Sequence, residues 1–349
     1  MDTAPFWPRK SPHFLAVRGA VRESLEQLGW PEQVYVGLSG GADSLALVAA
    51  LCAEAHRAVA NGTGMKVHAL CIDHGLQDGS RDIAKQAAAH AERWGAAASV
   101  IPVEVARGSA DGMEAEARRV RYQAFSEAAR EALGEMTPVM VAHTAEDQAE
   151  TLLLSSLRGH ISTMAFATEI EGAKIYRPLL GIRRADTLGA CAELGVQAWH
   201  DPQNEREDFR RVAIRKTVVP MLSEIIGGDA VAPLAAAANN AAADDAVLHS
   251  LIPQEYGVGG ENIDKHEELD CNELSGLAQP VRQRIIARWL VAKDVLVTRA
   301  GLAAIDALCS AWSGQGGVAV GDAYAKNPRS RLEVVRVGGK LRLLRFHAP

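Results

Sequence analysis

The sequence predicts an α/β fold, a parallel sheet with helices on both faces, and three observations carry the prediction. Short apolar runs rich in β-branched residues alternate with alanine- and leucine-rich helical stretches through the first half of the chain. The first run, Val34 to Leu38, breaks into Ser39-Gly40-Gly41-Ala42-Asp43-Ser44 and passes directly into a helix. Polar clusters follow three of the runs, at the strand ends where sheets of this kind bind ligands. Beyond this region the pattern changes to a small helical domain and then to a C-terminal β-hairpin.

In chain order, Phe14, Val17, Val21, Leu25 and Leu28 have helical spacing, so a helix precedes the first strand. After the first strand and its helix, Asn61 to Gly64 is a turn. Val67 to Ile72 is a second strand, ending in Asp73-His74-Gly75-Leu76. Asp82 to Trp94 reads as helix, Ser99 to Val103 as strand, Met113 to Leu133 as a long helix, and Pro138 to Ala142 as a short buried strand with a helix following through Leu157. From about Val218 the composition becomes alanine-rich without strand signals, Gly257 to Lys265 is a polar loop, and helices are expected over Glu273 to Leu290 and Thr298 to Trp312. Thereafter Leu332, Val334 and Arg336, then Leu341, Leu343 and Arg345, alternate about Gly338-Gly339, a hairpin signal. The expected divisions are residues 1–216, 217–317 and 318–349.

A strand, a Gly-Gly turn and a helix start gather bare backbone N–H groups and the positive end of a helix dipole into one hollow, which is an anion site. It is not the Walker-type loop, which needs a longer glycine loop closed by lysine. Here Asp43 stands beside Ser39 and Ser44, and a carboxylate next to a polyphosphate implies an intervening cation such as Mg²⁺. An ordinary Ser/Asp-capped turn is the plainer alternative. The turn resembles the pyrophosphate loop of the ATP-pyrophosphatase superfamily, whose members cleave ATP between the α and β phosphates.

The cluster after the Pro138 run holds His143, Asp147 and Glu150, four and three residues apart, which form one stripe on a helix. Thr144 with Asp147 also fits a capping box. Asp73-His74-Gly75-Leu76 is the polar cluster after the second strand.

The chain has 349 residues, 48% hydrophobic and 23% charged, which suffices for two or three domains with real cores. A net charge of −6 argues weakly against general binding to nucleic acid or anionic membranes, although local basic clusters override a global sum. The five cysteines are far apart and form no C-x-x-C, and so read as reduced core residues. No apolar run approaches a membrane span and the N-terminus lacks a signal-peptide core, so no membrane association and a cytoplasmic location are expected.

DHGLQDGS, EARRVRYQAF at Glu116 to Phe125, HTAEDQAET, LRG, RPLL, and DPQN followed by FRR and Arg215 occur in the order found in tRNA(Ile)-lysidine synthetases, which the first 215 or so residues resemble. The resemblance implies an enzyme that adenylates O2 of the wobble cytidine in a CAU anticodon of tRNA(Ile) with ATP and lets L-lysine displace AMP. It implies ATP contacts from Ser39, Gly40, Gly41, Ala42, Asp43, Ser44, Ile72, Asp73 and His74, with Mg²⁺ on Asp43. Asp43, His143, Asp147 and Glu150 are the implied catalytic set, Asp147 and Glu150 being a carboxylate pair for the lysine amine, with service of one of the two to Mg²⁺ as the open alternative. Arg118, Arg121, Arg158, Asn204, Arg211 and Arg215 are implied tRNA or substrate contacts, with His143 beside them, and a homodimer is the oligomer the resemblance suggests. Arg118 and Arg121 equally fit a solvated helix face, and Trp199 equally fits a core residue or a base-stacking one. Arg282, Arg284 and Arg288 form a possible RNA-gripping face on the small helical domain, and the basic hairpin offers another.

The family pattern is broken in places. His160-Ile161-Ser162-Thr163-Met164-Ala165 stands where a glycine-containing segment is usual, Arg211-Val212 where Arg-Asn is usual, and Asn204-Glu205-Arg206 where Asn-x-Asp is usual. Two rivals therefore stand beside the resemblance: a tRNA thiolation enzyme, which the absence of a suitable cysteine pair disfavours, and a non-catalytic tRNA- or nucleotide-binding relative, which Asp43, Asp147 and Glu150 disfavour.

Overall fold

A computed structural model describes residues 11–60, 62, 64–75, 79–106, 113–131, 137–200, 210–256, 263, 266–296, 298–322 and 330–347. The chain divides into two compact units, Met1–Ala242 and Ala243–Pro349. The divisions expected at 216/217 and 317/318 fall inside these units.

The first unit opens with α1 (Pro12–Gln27), capped by the Ser11 hydroxyl, which accepts from the Phe14 N–H. It continues through β1 (Gln33–Gly37), α2 (Ala42–Ala60), β2 (Lys66–Asp73), α3 (Ser80–Arg93), β3 (Ala97–Pro102), α4 (Met113–Glu131), β4 (Val139–Met140) and α5 (Ala145–Ser156). The alternation read from the sequence is thus present. A hairpin that the reading lacked follows, β5 (Ala167–Ile170) and β6 (Ala173–Tyr176), and then α6 (Arg184–Glu193). The sheet order is β3-β2-β1-β4-β6-β5, parallel except for the edge strand β5.

Alternation along the strands sorts the core onto two faces. Val34 and Val36 pack with α1, α2, α3 and α6 on one side, while Tyr35 packs with Tyr122, Phe125 and Ala129 of α4 on the other. The seam under α4 is tight: a Cβ on Gly37 would lie 2.8 Å from the Phe125 ring. α2 is buried over Leu45 to Ala53, as its unbroken apolar composition requires. At the far end of α2 the buried Glu54 binds Arg18, Arg22 and Arg57, tying α1 to α2.

Strands β1, β2 and β3 run outward in one direction and β4 and β6 in the other, so the order reverses between β1 and β4. A crevice for ligand opens beyond the carboxyl ends of strands at such a reversal. The helices α7 (Arg210–Ala213), a π-helical turn (Ile214–Val218), α8 (Val219–Ile226) and α9 (Val231–Ser250) follow. Ala145 and Ala149 of α5 pack on Val231 and Ala235 of α9.

The second unit contains β7 (Glu268–Asp270), α10 (Cys271–Ser275), α11 (Gln279–Val291), β8 (Val295–Leu296), α12 (Arg299–Ser310), β9 (Val318–Asp322), β10 (Ser330–Val337) and β11 (Lys340–His347). The single helix expected over Glu273 to Leu290 is two, because α10 ends at Gly276 and Pro280 begins α11 afresh. The hairpin about Gly338-Gly339 is present, with both glycines at positive φ. It is not a separate tail: β10 and β11 lie inside a five-stranded antiparallel sheet, and Val334 and Leu341 share one core with Leu269, Ile285 and Trp289.

Of the three arginines expected to form a face on α11, Arg282 and Arg284 are paired within the protein. Arg282 is buried against Asp306 at 2.5 Å, and Arg284 pairs with Asp245, so both are spent on internal contacts. Among the described residues no single helix is long and apolar enough to cross a membrane.

Candidate active site

The Ser39 to Ser44 turn leaves β1 and becomes the first turn of α2, so its amides are among those a helix start leaves without intrahelical partners. Gly40 has φ +85°, a conformation that L side chains rarely adopt, and its carbonyl accepts the Trp199 N–H at 3.0 Å. That places the backbone of Trp199 on the loop itself. The hydroxyls of Ser39 and Ser44 lie 3.2 Å apart, and Ser44 donates to the Gly41 carbonyl at 2.9 Å, holding the turn from within.

Asp43 projects from the first turn of α2. Its Oδ1 accepts from Thr187 Oγ1, and its Oδ2 lies 3.5 Å from Arg184 Nε. Burial pushes this carboxyl above the ordinary aspartate value, against the pull of Arg184 and the Thr187 bond. On the other side of β1, Asp73 accepts from Ser80 Oγ at 2.6 Å and from the Gly75 N–H, which lowers its pKa. Ile72 packs against the core under α4, and the buried Nδ1 of His74 has no hydrogen-bond partner.

Beyond β4, α5 carries Asp147 and Glu150, whereas His143 lies just ahead of the helix and its N-cap Thr144, so the stripe expected on one helix holds for the two carboxylates alone; the capping-box alternative holds at the same time. Asp147 Oδ2 accepts from the Thr144 N–H at 2.9 Å and from Thr144 Oγ1 at 3.1 Å, leaving Oδ1 for Arg184 Nη2 at 3.0 Å and Arg215 Nη2 at 3.6 Å. Arg184, His143 and the Thr144 amide outweigh burial and hold Asp147 below the usual carboxylate range. Glu150, 1% exposed, meets Arg215 through two contacts of 2.6 and 3.2 Å, yet burial outweighs that pairing and raises its pKa. His143 is pushed down to about 4, by burial first and by Arg177, Arg118 and Arg121 after it, although Asp147 pulls the other way.

The remaining predicted contacts divide. Arg118 and Arg121 stack over Tyr122 at 4.8 and 5.4 Å on α4. Arg158 and Arg211 are exposed, Arg215 lies on the carboxylates rather than out in solvent, and Asn204 falls outside the described residues. The departing segment after Gly159 is tied down, because Gln148 bonds both the N–H and the carbonyl of Met164 at 2.8 Å and also Asn239.

Three residues that the sequence reading did not single out belong to this site: Arg177, Arg184 and Thr187. The first follows β6 and the others lie on α6, and the pairing of β6 with β4 delivers all three to the crevice. Arg177 is 4% exposed, donates to the Ala165 carbonyl at 2.7 Å and has a buried Nε without a partner. The Arg-Pro-Leu-Leu and Arg-Arg-Ala-Asp-Thr runs were the available signals.

Comparison with known proteins bears on the family and the fold. A family model described as a PP-loop domain matches residues 19–222, and one described as a TilS substrate binding domain matches residues 269–342. The chain is 46% identical over 336 residues to the tRNA(Ile)-lysidine synthase of Corynebacterium glutamicum, covering 96% of each chain. It is also 46% identical to that of Corynebacterium diphtheriae, covering 96% of this chain and 98% of the relative. Among solved structures, the U34-tRNA thiolase NcsA of Methanococcus maripaludis matches with a TM-score of 0.52 at 15% identity, over 71% of this chain and 84% of that one, which speaks for the fold alone.

Proposed function

The chain belongs to the tRNA(Ile)-lysidine synthase family, and from that premise we propose that it joins free L-lysine to C2 of the wobble cytidine of a tRNA(Ile) with a CAU anticodon. ATP is spent to adenylate O2 of that cytidine, with release of pyrophosphate. One observation carries the reading beyond family membership. The phosphate-type loop and the carboxylate stripe lie on the neighbouring strands β1 and β4, and a single side chain, Arg184, touches both.

The amides of Ser39 to Ser44 hold the β and γ phosphates, while Ile72, Asp73 and His74 border the adenosine. Asp43 is the Mg²⁺ ligand of this reading. Its carboxylate, on the first turn of α2 with Oδ2 no nearer than 3.5 Å to Arg184, is a hard-oxygen ligand suited to a metal that otherwise keeps phosphate and water ligands. When bound, the metal neutralises charge on the leaving pyrophosphate.

In the second half-reaction Asp147, the carboxylate held ionised, takes the lysine ammonium, and Glu150, whose carboxyl burial raises, accepts its proton. The freed amine lone pair then forms the bond to C2 while the C2–O2 bond breaks and AMP departs with its electron pair. Neutral His143 with Arg118, Arg121, Arg158, Asn204 and Arg211 faces the RNA, and Arg215 serves at the lysine carboxylates. Residues 269–342 hold tRNA outside the anticodon. A homodimer, which rests on resemblance, and a cytoplasmic location, which rests on the sequence, belong to the same reading.

ATP-dependent transfer of labelled lysine to a tRNA(Ile) transcript with a CAU anticodon, beside a tRNA(Met) control, tests this reading. Label on the first tRNA alone, abolished by Asp43→Ala, is expected. Pyrophosphate release without lysine transfer would overturn the choice of nucleophile and favour thiolation. Binding of tRNA without turnover would favour the non-catalytic relative.

A further inference from the structure

Arg184 stands between the two halves of the site. Its Nη2 donates to Asp147 Oδ1 at 3.0 Å and its Nε lies 3.5 Å from Asp43 Oδ2, while its backbone N–H is held by Glu146 at 2.9 Å. The anchored backbone fixes the base of the side chain, which is 23% exposed, and the guanidinium is left to choose among acceptors. Glu146 is matched separately by Arg183. Asp43, Asp147 and Glu150 therefore share two guanidiniums, and Arg215 is committed to Glu150 by two bonds. A cation of the protein's own already sits on the carboxylate that would face the nucleotide's metal and on the one that would face lysine.

We infer that Arg184 exchanges partners as the site loads: bound nucleotide draws its guanidinium off Asp147, and the carboxylate so uncovered becomes the one that takes the lysine ammonium. The inference rests on the reading of Asp147 as the lysine carboxylate. A guanidinium gains more from a multiply charged phosphate, which it grips with two donors, than from one shared carboxylate. Asp147 then keeps the two Thr144 hydrogen bonds on Oδ2, but its Oδ1 is left in a mostly buried site with Arg215 at 3.6 Å as its nearest described cation, and a buried carboxylate so weakly matched in charge is costly until another cation arrives. Nucleotide thus prepares the lysine site, and by linkage lysine tightens nucleotide to the same degree. Arg184 is a positioning residue that makes the order of loading productive.

The test is equilibrium binding of L-lysine to the full chain, with and without Mg²⁺ and α,β-methylene ATP, for wild type, Arg184→Gln, Arg184→Lys and Asp147→Asn. Nucleotide binding by each variant reports that the loop is folded. Wild type is expected to bind lysine about tenfold more tightly with the analogue, within the range usual for coupled sites. Arg184→Gln is expected to bind lysine equally with and without it, and more tightly than nucleotide-free wild type. Arg184→Lys, which keeps the charge but loses the fork, retains only part of the coupling. Equal wild-type affinity in both states, absence of lysine binding by nucleotide-loaded wild type, or undiminished coupling in Arg184→Gln would each overturn the exchange. Loss of lysine binding in Asp147→Asn supports the underlying reading independently, and wild-type binding by that variant would remove both.

Discussion

His143 carries its Nδ1 into a buried position without a hydrogen-bond partner, and the charges of Arg177, Arg118 and Arg121 bear on it from β6 and α4. An ammonium-like ring there would be desolvated and repelled, so the folded pKa falls from 6.5 to about 4. A histidine depressed in this way contributes stability that is fully present above pH 6.5 and is lost as pH falls through about 4, because the unfolded chain takes up the proton first. The contribution is on the order of 3 kcal/mol. Histidine ring resonances followed against pH should show His143 neutral at pH 6 with a midpoint near 4, and Asp147→Asn should move the midpoint lower by removing the one favourable charge. A midpoint at 6.5 or above would contradict the burial argument. The placement of Asp43 at the loop-to-helix junction and of Asp147 and Glu150 on one helix was legible in the sequence because each sits within a short local pattern. Arg177, Arg184 and Thr187 were not, since the nearest of their carboxylate contacts spans 37 residues and exists only through strand order. Arg215 illustrates the same limit: a basic residue in a basic run gives no sign of its pairing with Glu150, which only the fold supplies. Its removal would leave that buried carboxylate unpaired at a cost of about 3–5 kcal/mol, independent of any RNA.

At the level of elements, the strand–loop–helix unit is where sequence and structure agree most closely, and the reason is a backbone constraint. Gly40 holds φ +85° with Ala87 Cβ and Trp199 Cβ within 4 Å of where its own Cβ would be, whereas Gly41 has ordinary φ and meets only Ser39 Oγ at 3.5 Å. Gly40→Ala should therefore cost about 1–3 kcal/mol of stability and weaken α,β-methylene ATP binding, while Gly41→Ala leaves stability within about 0.5 kcal/mol. Urea unfolding and analogue titration of the two variants check this, and a Gly41→Ala protein less stable than Gly40→Ala would refute it. The β5–β6 hairpin was harder to see. Its strands are four residues each, and the turn sets Glu171 at φ +50° before Gly172 at +77°, where asparagine or glycine would be the recognisable choice. The π-helical turn that aims Arg215 has no local signature, since an inserted residue in a helix leaves composition unchanged.

Across the whole molecule, a net charge of −6 in a protein that handles tRNA is reconciled by where the arginines are spent. The count of basic residues was legible, but their pairing was not, because it depends on tertiary contacts such as Arg282 with Asp306, Arg284 with Asp245, and Lys340 and Arg342 with Glu268. A cation already matched to a carboxylate releases few counterions when RNA arrives, so most of these residues add little to the salt dependence of binding. Arg211, exposed on α7 in the first unit, is a stronger candidate for a phosphate contact than the internally paired Arg282 and Arg284 of α11. In tRNA(Ile) binding titrated against potassium chloride, Arg211→Ala should lower the slope of log affinity on log salt by roughly 0.7–0.9, the loss of one phosphate contact. Arg284→Ala should leave the slope within error of wild type, since it removes a contact with Asp245 rather than with RNA. A drop in slope for Arg284→Ala equal to that for Arg211→Ala would mean that the ion pair opens when tRNA binds, and would return α11 to the RNA-binding surface.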